Sequence, residues 1–252
     1  MSKEIKSHIL LPKFILKNFA DTNGSLHCFS AIKNKLYLSR PASYNTQEGR
    51  HSENMESFLN SEIEAPLSNA LAELKKWLRG QTTTYHFYAD VFMKYLWALL
   101  ARSPEMVDDT NKNLMKFGVS TQQQLNDIIV GEAYNLAQSD TDFANCRLQI
   151  MLNTNLREFV LPASGACTYF NVKDESKHFV IILHPRIAID IQAQTPQTTM
   201  VVVTVGLWYV DLMNQFSFLQ CKKDLIASND AILRYVTGEG AELYKKIYRD
   251  VK

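Results

Sequence analysis

The hydrophobic period of this chain changes from that of a helix to that of a strand near residue 153, and that change constrains the fold more than any other feature. Between residues 52 and 153, apolar side chains recur at steps of three and four residues, which is typical of amphipathic helices. Between residues 159 and 205, short β-type runs are separated by Pro, Gly or polar residues, which is typical of strands. Separate blocks of helices and strands predict an α+β protein.

Helices are expected before and after the strand block. The predicted helices span residues 12–20, 52–78, 82–102, 104–117, 120–137, 139–153, 208–219, 229–236 and 241–249. Pro66 lies inside the second of these and predicts a kink or a break there. The stretch 82–102 is rich in aromatic residues and apolar on most sides, so we expect it to be the central core helix.

Strands are expected at both ends of the helical block. Residues 26–31 and 35–39 predict a hairpin, which we expect to join the later strands in one sheet. The later predicted strands span residues 159–161, 166–170, 179–183, 188–191 and 200–205. No polar or Gly/Pro-rich stretch is long enough to act as a linker. The sequence therefore predicts a single, mainly helical domain over residues 1–252, with a small, largely antiparallel sheet.

Composition and charge exclude several classes of protein. The chain has 252 residues, of which 46% are hydrophobic and 21% are charged, so the bulk of it should fold around a core. Lys and Arg number 27 and Asp and Glu number 26, so the formal net charge is only +1. A strongly basic nucleic-acid binder would show an excess of Lys and Arg. This charge balance remains compatible with a local basic patch.

Apolar runs and cysteine spacing indicate the compartment. No run approaches the roughly 18–20 apolar residues that a membrane span needs, so we expect no membrane partner. The apolar run at 9–11 is stopped by Pro12, so we expect no secretory signal. The four cysteines are Cys28, Cys146, Cys167 and Cys221. Dispersed cysteines without a Cys-x-x-Cys pair are typical of reduced thiols. We therefore expect a cytoplasmic protein.

Short segments along most of the chain carry a family resemblance. The most specific runs from His8 to Phe19, HILLPKFILKNF, and matches an opening motif often spelled HYVPQFYLRNF if one residue is inserted after the His. The other segments are the spaced glutamates Glu56 and Glu64, Arg102-Ser103-Pro104, residues 159–165 and Leu183-His184-Pro185. Together they resemble DUF4238, a family of uncharacterised bacterial proteins.

The resemblance implies a bacterial protein and a set of residues to inspect, because the family has no established activity. A late Asp of the family has no acidic counterpart in this chain, where Ala163 or Gly165 falls at that place. If that Asp is a metal ligand or an acid/base group in relatives, its loss would leave binding without catalysis. A role in bacterial defence or toxin–immunity is what this kind of family suggests.

The residues that could carry chemistry are His8, Glu56, Glu64 and Arg102. His8 could be a metal ligand or general base, or it could hydrogen-bond nearby backbone where the first helix begins. Glu56 and Glu64 lie on one predicted helix, about 80° apart around its axis. Paired carboxylates bind Mg²⁺ or Mn²⁺, so these two glutamates could hold a metal ion. Alternatively, they belong to a solvated acidic helix face that also includes Glu53.

Arg102 follows the aromatic helix and has two interpretations. It could hold a phosphate or a carboxylate through two hydrogen bonds, or it could cap the last carbonyls of the helix. A buried ion pair of Arg102 with Glu56 or Glu64 would be a structural explanation for all three residues.

Other motifs are weak or missing. His178 and His184 are six residues apart on a predicted strand, which places them some 20 Å from each other. They therefore cannot share one metal ion. The alternative to a functional role is that each is an exposed loop residue. The sequence has no Gly-x-Ser-x-Gly, Walker A, Gly-x-Gly-x-x-Gly or His-Glu-x-x-His motif. A nucleotide-dependent enzyme of a common class is therefore disfavoured.

Two functions of different class remain. The first is a non-catalytic or degenerate intracellular binding module with a protein partner, whose cofactors are unknown. The second is a metal-dependent, nuclease-like hydrolase that uses His8, Glu56 and Glu64 as metal ligands, with Arg102 on the phosphate of a nucleic acid. Only the second requires a divalent metal, and the sequence does not decide whether the chain is an enzyme.

Overall fold

The computed structural model of the chain describes residues 6–8, 11–83, 89–102, 118–119, 121–139, 146–171, 175–193 and 199–242. The chain divides into two compact units. Unit 1 comprises Met1–Pro12 and Asn45–Phe143, and unit 2 comprises Lys13–Tyr44 and Ala144–Lys252.

Both helices and strands are well represented along the described residues. In chain order the elements are β1 (Lys6–His8), α1 (Lys13–Asn18), β2 (Leu26–Ser30), β3 (Lys35–Ser39), β4 (Thr46–Glu48), α2 (Glu53–Leu59), a π-helical turn (Asn60–Glu64), α3 (Ala65–Leu78), α4 (Ala89–Ala101), α5 (Gln122–Ser139), β5 (Cys146–Asn153), β6 (Leu161–Pro162), β7 (Ala166–Asn171), β8 (Ser176–His184), β9 (Ile187–Ala193), β10 (Thr199–Val205), α6 (Leu207–Leu219), β11 (Asp224–Ala227) and α7 (Asp230–Thr237).

Unit 1 is helical, with a two-stranded ribbon formed by β1 and β4. The helix α4 packs on α3, α5 and the π-helical turn. It is buried on most of its sides because its sequence is apolar almost all round. Its buried side chains are Val91, Phe92, Met93, Tyr95, Leu96, Ala98, Leu99 and Ala101.

The predicted interruption at Pro66 takes the form of a π-helical turn. Ser52 caps α2 by accepting a hydrogen bond from the backbone N–H of Met55, and the chain then stays helical through the turn into α3. Pro66 lies in the first turn of α3. Its ring removes a backbone donor and crowds the preceding turn, and the wider i→i+5 turn accommodates it without ending the helix.

Unit 2 is built on two sheets. The strand order is β3-β2-β11-β6 in the four-stranded sheet and β10-β5-β9-β8-β7 in the five-stranded sheet, where the β10–β5 pair is parallel and the other pairs are antiparallel. Val180, Ile181, Ile182 and Leu183 of β8 are all fully buried, as expected for an apolar run in a strand covered on both faces. The helix α7 packs on β2 and β11.

The expectation of a single, mainly helical domain with one small sheet is wrong. Besides the two-stranded β1–β4 ribbon, the described residues form two sheets, of four and five strands, and the protein is α+β with substantial content of both structures. One cause is the strand β5, because the pattern over residues 139–153 predicts a helix. Its burial alternates, with Cys146, Leu148 and Ile150 buried and Arg147 exposed, which is the period of a strand. The short strand β11 is absent from the sequence-based prediction.

Two further findings bear on the expected compartment. Among the residues that the structure describes, no helix is long and apolar enough to cross a membrane. The four cysteines are free thiols, and three of them are buried.

The predicted helix at 241–249 lies almost entirely outside the described residues.

A histidine between two carboxylates links β2 to the start of α7 in unit 2. His27 Nδ1 lies 2.8 Å from Asp230 Oδ1, and His27 Nε2 lies 3.1 Å from Asp21 Oδ2. Asp21 is itself held in its turn by the backbone N–H groups of Asn23 and Ser25. Burial lowers the pKa of His27, but the hydrogen bonds and charges of Asp230 and Asp21 outweigh it, so the pKa is raised above the usual 6.5.

We expect this histidine to stabilise the protein more at low pH than at high pH. A raised pKa in the folded state means that the contribution is complete below about 6.5 and is lost as the pH rises through the folded-state pKa. The difference in free energy of unfolding between wild type and His27→Gln should be roughly 0.5–1 kcal/mol larger at low pH, since exposed ion pairs are weak. Urea unfolding of wild type and variant at about pH 5.5 and about pH 8.5 measures this difference in free energy of unfolding. An equal difference at both pH values would contradict the prediction.

Candidate functional site

The loop at residues 49–52 is attached to α5 by side-chain hydrogen bonds. Asn126 Nδ2 donates to the carbonyl of Arg50 at 3.0 Å, and Gln123 Nε2 donates to the carbonyl of His51 at 3.0 Å. The backbone N–H of Ser52 donates to Asp127 Oδ2 at 3.2 Å. Three consecutive loop residues are therefore fixed in place, and the side chains of Arg50 and His51 are positioned by a rigid helix.

The buried His51 is paired with the partly exposed Asp127. His51 Nδ1 lies 2.9 Å from Asp127 Oδ1, and the histidine side chain is 1% exposed. Burial lowers the pKa of His51, and this effect exceeds the opposing effects of Asp127 and Glu56. Burial therefore favours the neutral ring. Because a carboxylate can only accept, Nδ1 carries the proton and Nε2 is left as an acceptor.

Arg102 is the second fixed group. Its side chain is 2% exposed, its Nε donates to the carbonyl of Ala98 at 3.1 Å, and its Nη1 lies 3.8 Å from Glu64 Oε1. It therefore caps the end of α4 and also faces a carboxylate. Arg50 is close by, since its Nη2 donates to the carbonyl of Arg102 at 3.5 Å. Burial and then the charge of Arg102 lower the pKa of Arg50 to about 10, against the opposing charge of Glu56.

The π-helical turn brings Glu56 and Glu64 towards one face of the helix. In a regular α-helix they would lie about 80° apart. Each residue of a π-turn advances by less than the roughly 100° of an α-helix, so the turn reduces this offset. The two carboxyl groups interact: burial raises the pKa of Glu64, the charge of Glu56 adds to this, and Arg102 opposes it.

We call these groups the unit 1 charged cluster: Arg50, His51, Glu56, Glu64, Arg102 and Asp127. Several of its polar atoms are buried without a hydrogen-bond partner among the described residues, namely Arg50 Nε, His51 Nε2, Glu56 Oε1 and Arg102 Nη2, together with the neighbouring Tyr95 hydroxyl. Leaving one such group unpaired costs roughly 1–3 kcal/mol. Donors and acceptors of this kind can be satisfied by buried water or by a polar ligand.

The structure brings three of the four predicted site residues together. Glu56, Glu64 and Arg102 belong to the cluster, and the ion pair predicted for Arg102 forms with Glu64. His8 lies in β1 opposite Thr46, and its side chain lies outside what the structure describes. Glu53 is exposed, as the solvated-face alternative predicted. Within the described part of the chain, no three His, Cys, Asp or Glu side chains are grouped so that they could hold a metal ion.

His178 lies in a different kind of polar network, in unit 2. It is 5% exposed, so its interpretation as an exposed loop residue is wrong. Its Nδ1 is 2.9 Å from Asp190, its Nε2 is 2.8 Å from Ser176 Oγ, and the ring stacks on Tyr169 at 4.5 Å. Both ring nitrogens have partners and one ring face is covered, so this serine–histidine–aspartate chain satisfies buried polar groups of the sheet.

An apolar cavity of about 670 Å³ also lies in unit 2. Its lining includes Leu156, which is fully exposed, and Tyr235, whose ring lies 3.6 Å from the guanidinium carbon of Arg157. Arg157 is also paired with Asp211. The charge of Arg157 at this cavity is therefore neutralised within unit 2.

Comparisons with protein-family models, curated proteins and solved structures found no match for this chain. The resemblance to DUF4238 stays a prediction.

Sequence reasoning missed Arg50, His51 and Asp127. The signal that could have found two of them was the position of Arg50 and His51 directly before the helix cap Ser52, where a turn gives way to a helix.

Replacing Arg50 should stabilise the ligand-free protein. Arg50→Met removes a desolvated charge that is repelled by Arg102, so we expect the free energy of unfolding to rise by about 1 kcal/mol, as at other sites where function opposes stability. Urea unfolding of wild type and variant in a buffer of low anion content measures this change in free energy of unfolding. The control is Arg79→Met, an exposed arginine at the end of α3, which should change stability by less than about 0.5 kcal/mol. A loss of stability in Arg50→Met would mean that Arg50 is a structural member of the cluster.

Proposed function

We propose that this chain is a bacterial, intracellular, non-catalytic binding module whose unit 1 charged cluster binds a compact anion. The observation that supports the proposal is the set of buried, unpartnered polar atoms contributed, among the described residues, by two arginines, a histidine and a glutamate. Function is the usual reason for a protein to retain groups that cost stability.

The two arginines are the groups of the cluster that could hold an anion. Burial is the first cause that lowers the pKa of Arg50, and repulsion by the charge of Arg102 is the second, against the opposing charge of Glu56. An anion between the two guanidinium groups would replace this repulsion with charge-assisted hydrogen bonds. The ligand should be compact, because the unpartnered atoms are buried from solvent and leave little access for a polymer.

The wider setting of this module belongs to the same proposal. Membership of DUF4238, a protein partner and a role in defence or toxin–immunity are predictions from the sequence. A binding module fits the missing late acidic residue of that family, since Ala163 and Gly165 cannot act as acid, base or metal ligand.

Thermal unfolding in the presence of compact anions tests the proposal. Phosphate, sulfate and acetate are each compared with chloride at equal ionic strength, which removes general screening effects. A specific anion at about 100 times its Kd adds about 2.7 kcal/mol, and this should raise the Tm by roughly 5–10 °C. Arg102→Met should abolish the shift, whereas the control Arg79→Met should retain it. If none of these anions raises the Tm of the wild type, the proposal is wrong.

The metal-dependent hydrolase is the second candidate. It is supported by the electrostatic interaction of Glu56 with Glu64, since paired carboxylates are ligands that divalent cations prefer. Its third proposed ligand is His8. This candidate requires at least that ligand or another side chain to complete the site.

Native mass spectrometry with added Mn²⁺ separates the two candidates. The hydrolase predicts one or two bound Mn²⁺ ions per chain, lost in both Glu56→Ala and His8→Ala and retained in the exposed control Glu53→Ala. The binding module predicts no stoichiometric Mn²⁺ in any of these proteins. Metal bound to the wild type and lost in the first two variants would replace the proposed function with the hydrolase.

A further inference from the structure

The outer edges of the two sheets in unit 2 are not protected equally. Among the described residues, the edge strands are β3 and β6 in the four-stranded sheet and β7 and β10 in the five-stranded sheet. An edge strand presents unpaired backbone N–H and C=O groups, and proteins usually block it with a charge, a proline, a short length or a covering group. The strands β3, β6 and β7 each carry such a device.

The three protected edges are blocked in different ways. The strand β3 begins with the exposed charge of Lys35, and β6 is only 2 residues long and ends in Pro162, which has no N–H group. On β7, the side-chain amide of Gln220 accepts a hydrogen bond from the backbone N–H of Thr168 at 2.9 Å and donates one to the carbonyl of the same residue. This amide takes the place that a further strand would occupy.

The edge strand β10 has none of these devices. Its sequence, TMVVVTV over Thr199–Val205, contains no charge, proline or glycine. One side of it pairs in parallel with β5 along its whole length, and no strand of the described residues pairs with the other side. Val201 is 37% exposed, and Val202 and Val203 are only partly buried. An uncharged, β-branched edge of this length is a template for a further strand.

We infer that the outer edge of β10 pairs with β10 of a second copy of this chain, in antiparallel orientation about a two-fold axis. The inference goes beyond the proposed function and is independent of it, because β10 contributes no residue to the unit 1 charged cluster. Pairing centred on Val202 uses the whole strand and places Val201 of each copy opposite Val203 of the other. The two five-stranded sheets then form one continuous sheet.

The sequence of the strand favours a second copy as its partner. In an antiparallel pair of identical strands, residues at equal distances before and after the centre lie opposite each other. Because β10 is uncharged, this self-pairing brings no like charges together, and valine pairs are favourable across strands. A different strand would have to be selected without any charge on β10 to recognise it.

The same geometry limits the assembly to a dimer. A two-fold interface uses the same surface on both copies, so pairing leaves neither β10 edge open. The opposite edge of the sheet is blocked by Gln220 on β7. The chain should therefore form a closed dimer and not a fibre.

Sedimentation velocity of the full chain at concentrations from about 1 to about 300 µM tests the inference. A single strand pair is a small interface, so we expect a reversible monomer–dimer equilibrium with a Kd on the order of 10 µM. A chain that stays monomeric over the whole range overturns the inference, and so does an assembly that grows beyond the dimer.

A matched pair of lysine variants locates the interface. Val201→Lys adds a charge to the edge of β10, and two-fold pairing would bring the two lysines to diagonal positions about 7–8 Å apart, so the Kd should rise at least about tenfold. The control is Phe170→Lys, which changes an exposed side chain of β7 at the opposite edge and should leave the Kd within about twofold of wild type. Circular dichroism confirms that both variants are folded. An unchanged Kd in Val201→Lys would contradict the inference.

Hydrogen exchange of the wild type gives a readout that needs no variant. Alternate N–H groups of an edge strand point away from its neighbour, so those of β10 have no strand partner in the monomer and gain one in the dimer. Exchange in residues 199–205 should therefore slow when the protein concentration is raised through the Kd, while exchange in β7 stays constant. A dimer that leaves the exchange of β10 unchanged would have its interface elsewhere, and the inference would be wrong.

Discussion

Unit 1 is organised around a guanidinium group that is almost completely removed from water. Arg102 ends a helix whose other side chains are largely apolar, so its charge has to be compensated by nearby polar groups. The carbonyl of Ala98 and the carboxylate of Glu64 supply part of this compensation. Glu64 is the last residue of the π-helical turn, and Arg102 Nη2 has no hydrogen-bond partner among the described residues.

Two buried histidines, one in each unit, differ in how their ring nitrogens are partnered. In unit 2, His178 has a hydrogen-bond partner for each ring nitrogen and packs against Tyr169, so the network is closed. In the described part of unit 1, His51 has a partner for one nitrogen only. A closed network rigidifies a fold, whereas an open one keeps hydrogen-bonding capacity available to a ligand. A buried histidine can therefore either complete a closed network or keep a free acceptor, depending on whether its partners lie within the chain.

Part of the site was accessible from the sequence. Glu56, Glu64 and Arg102 could be named because a glutamate next to an apolar helix stripe and an arginine at the end of an aromatic helix conflict with their surroundings. Arg50 and His51 were marked only by their position directly before the helix cap Ser52. Asp127 was not marked at all, since nothing in a polar helix face shows that one of its residues contacts a distant loop. Asp127 contacts a residue 76 positions earlier in the chain, and such a contact leaves no local pattern.

The sequence by itself determined where most of the helices and strands run, because the period of apolar residues follows directly from backbone geometry. It also determined local details such as the cap at Ser52 and the distortion next to Pro66. Only the tertiary structure decided that the strands form two sheets, that β5 is a strand, and that the charged groups meet beside α4. Periodicity shows which face of an element is buried, but it does not show against which partner, because that choice is made by long-range packing.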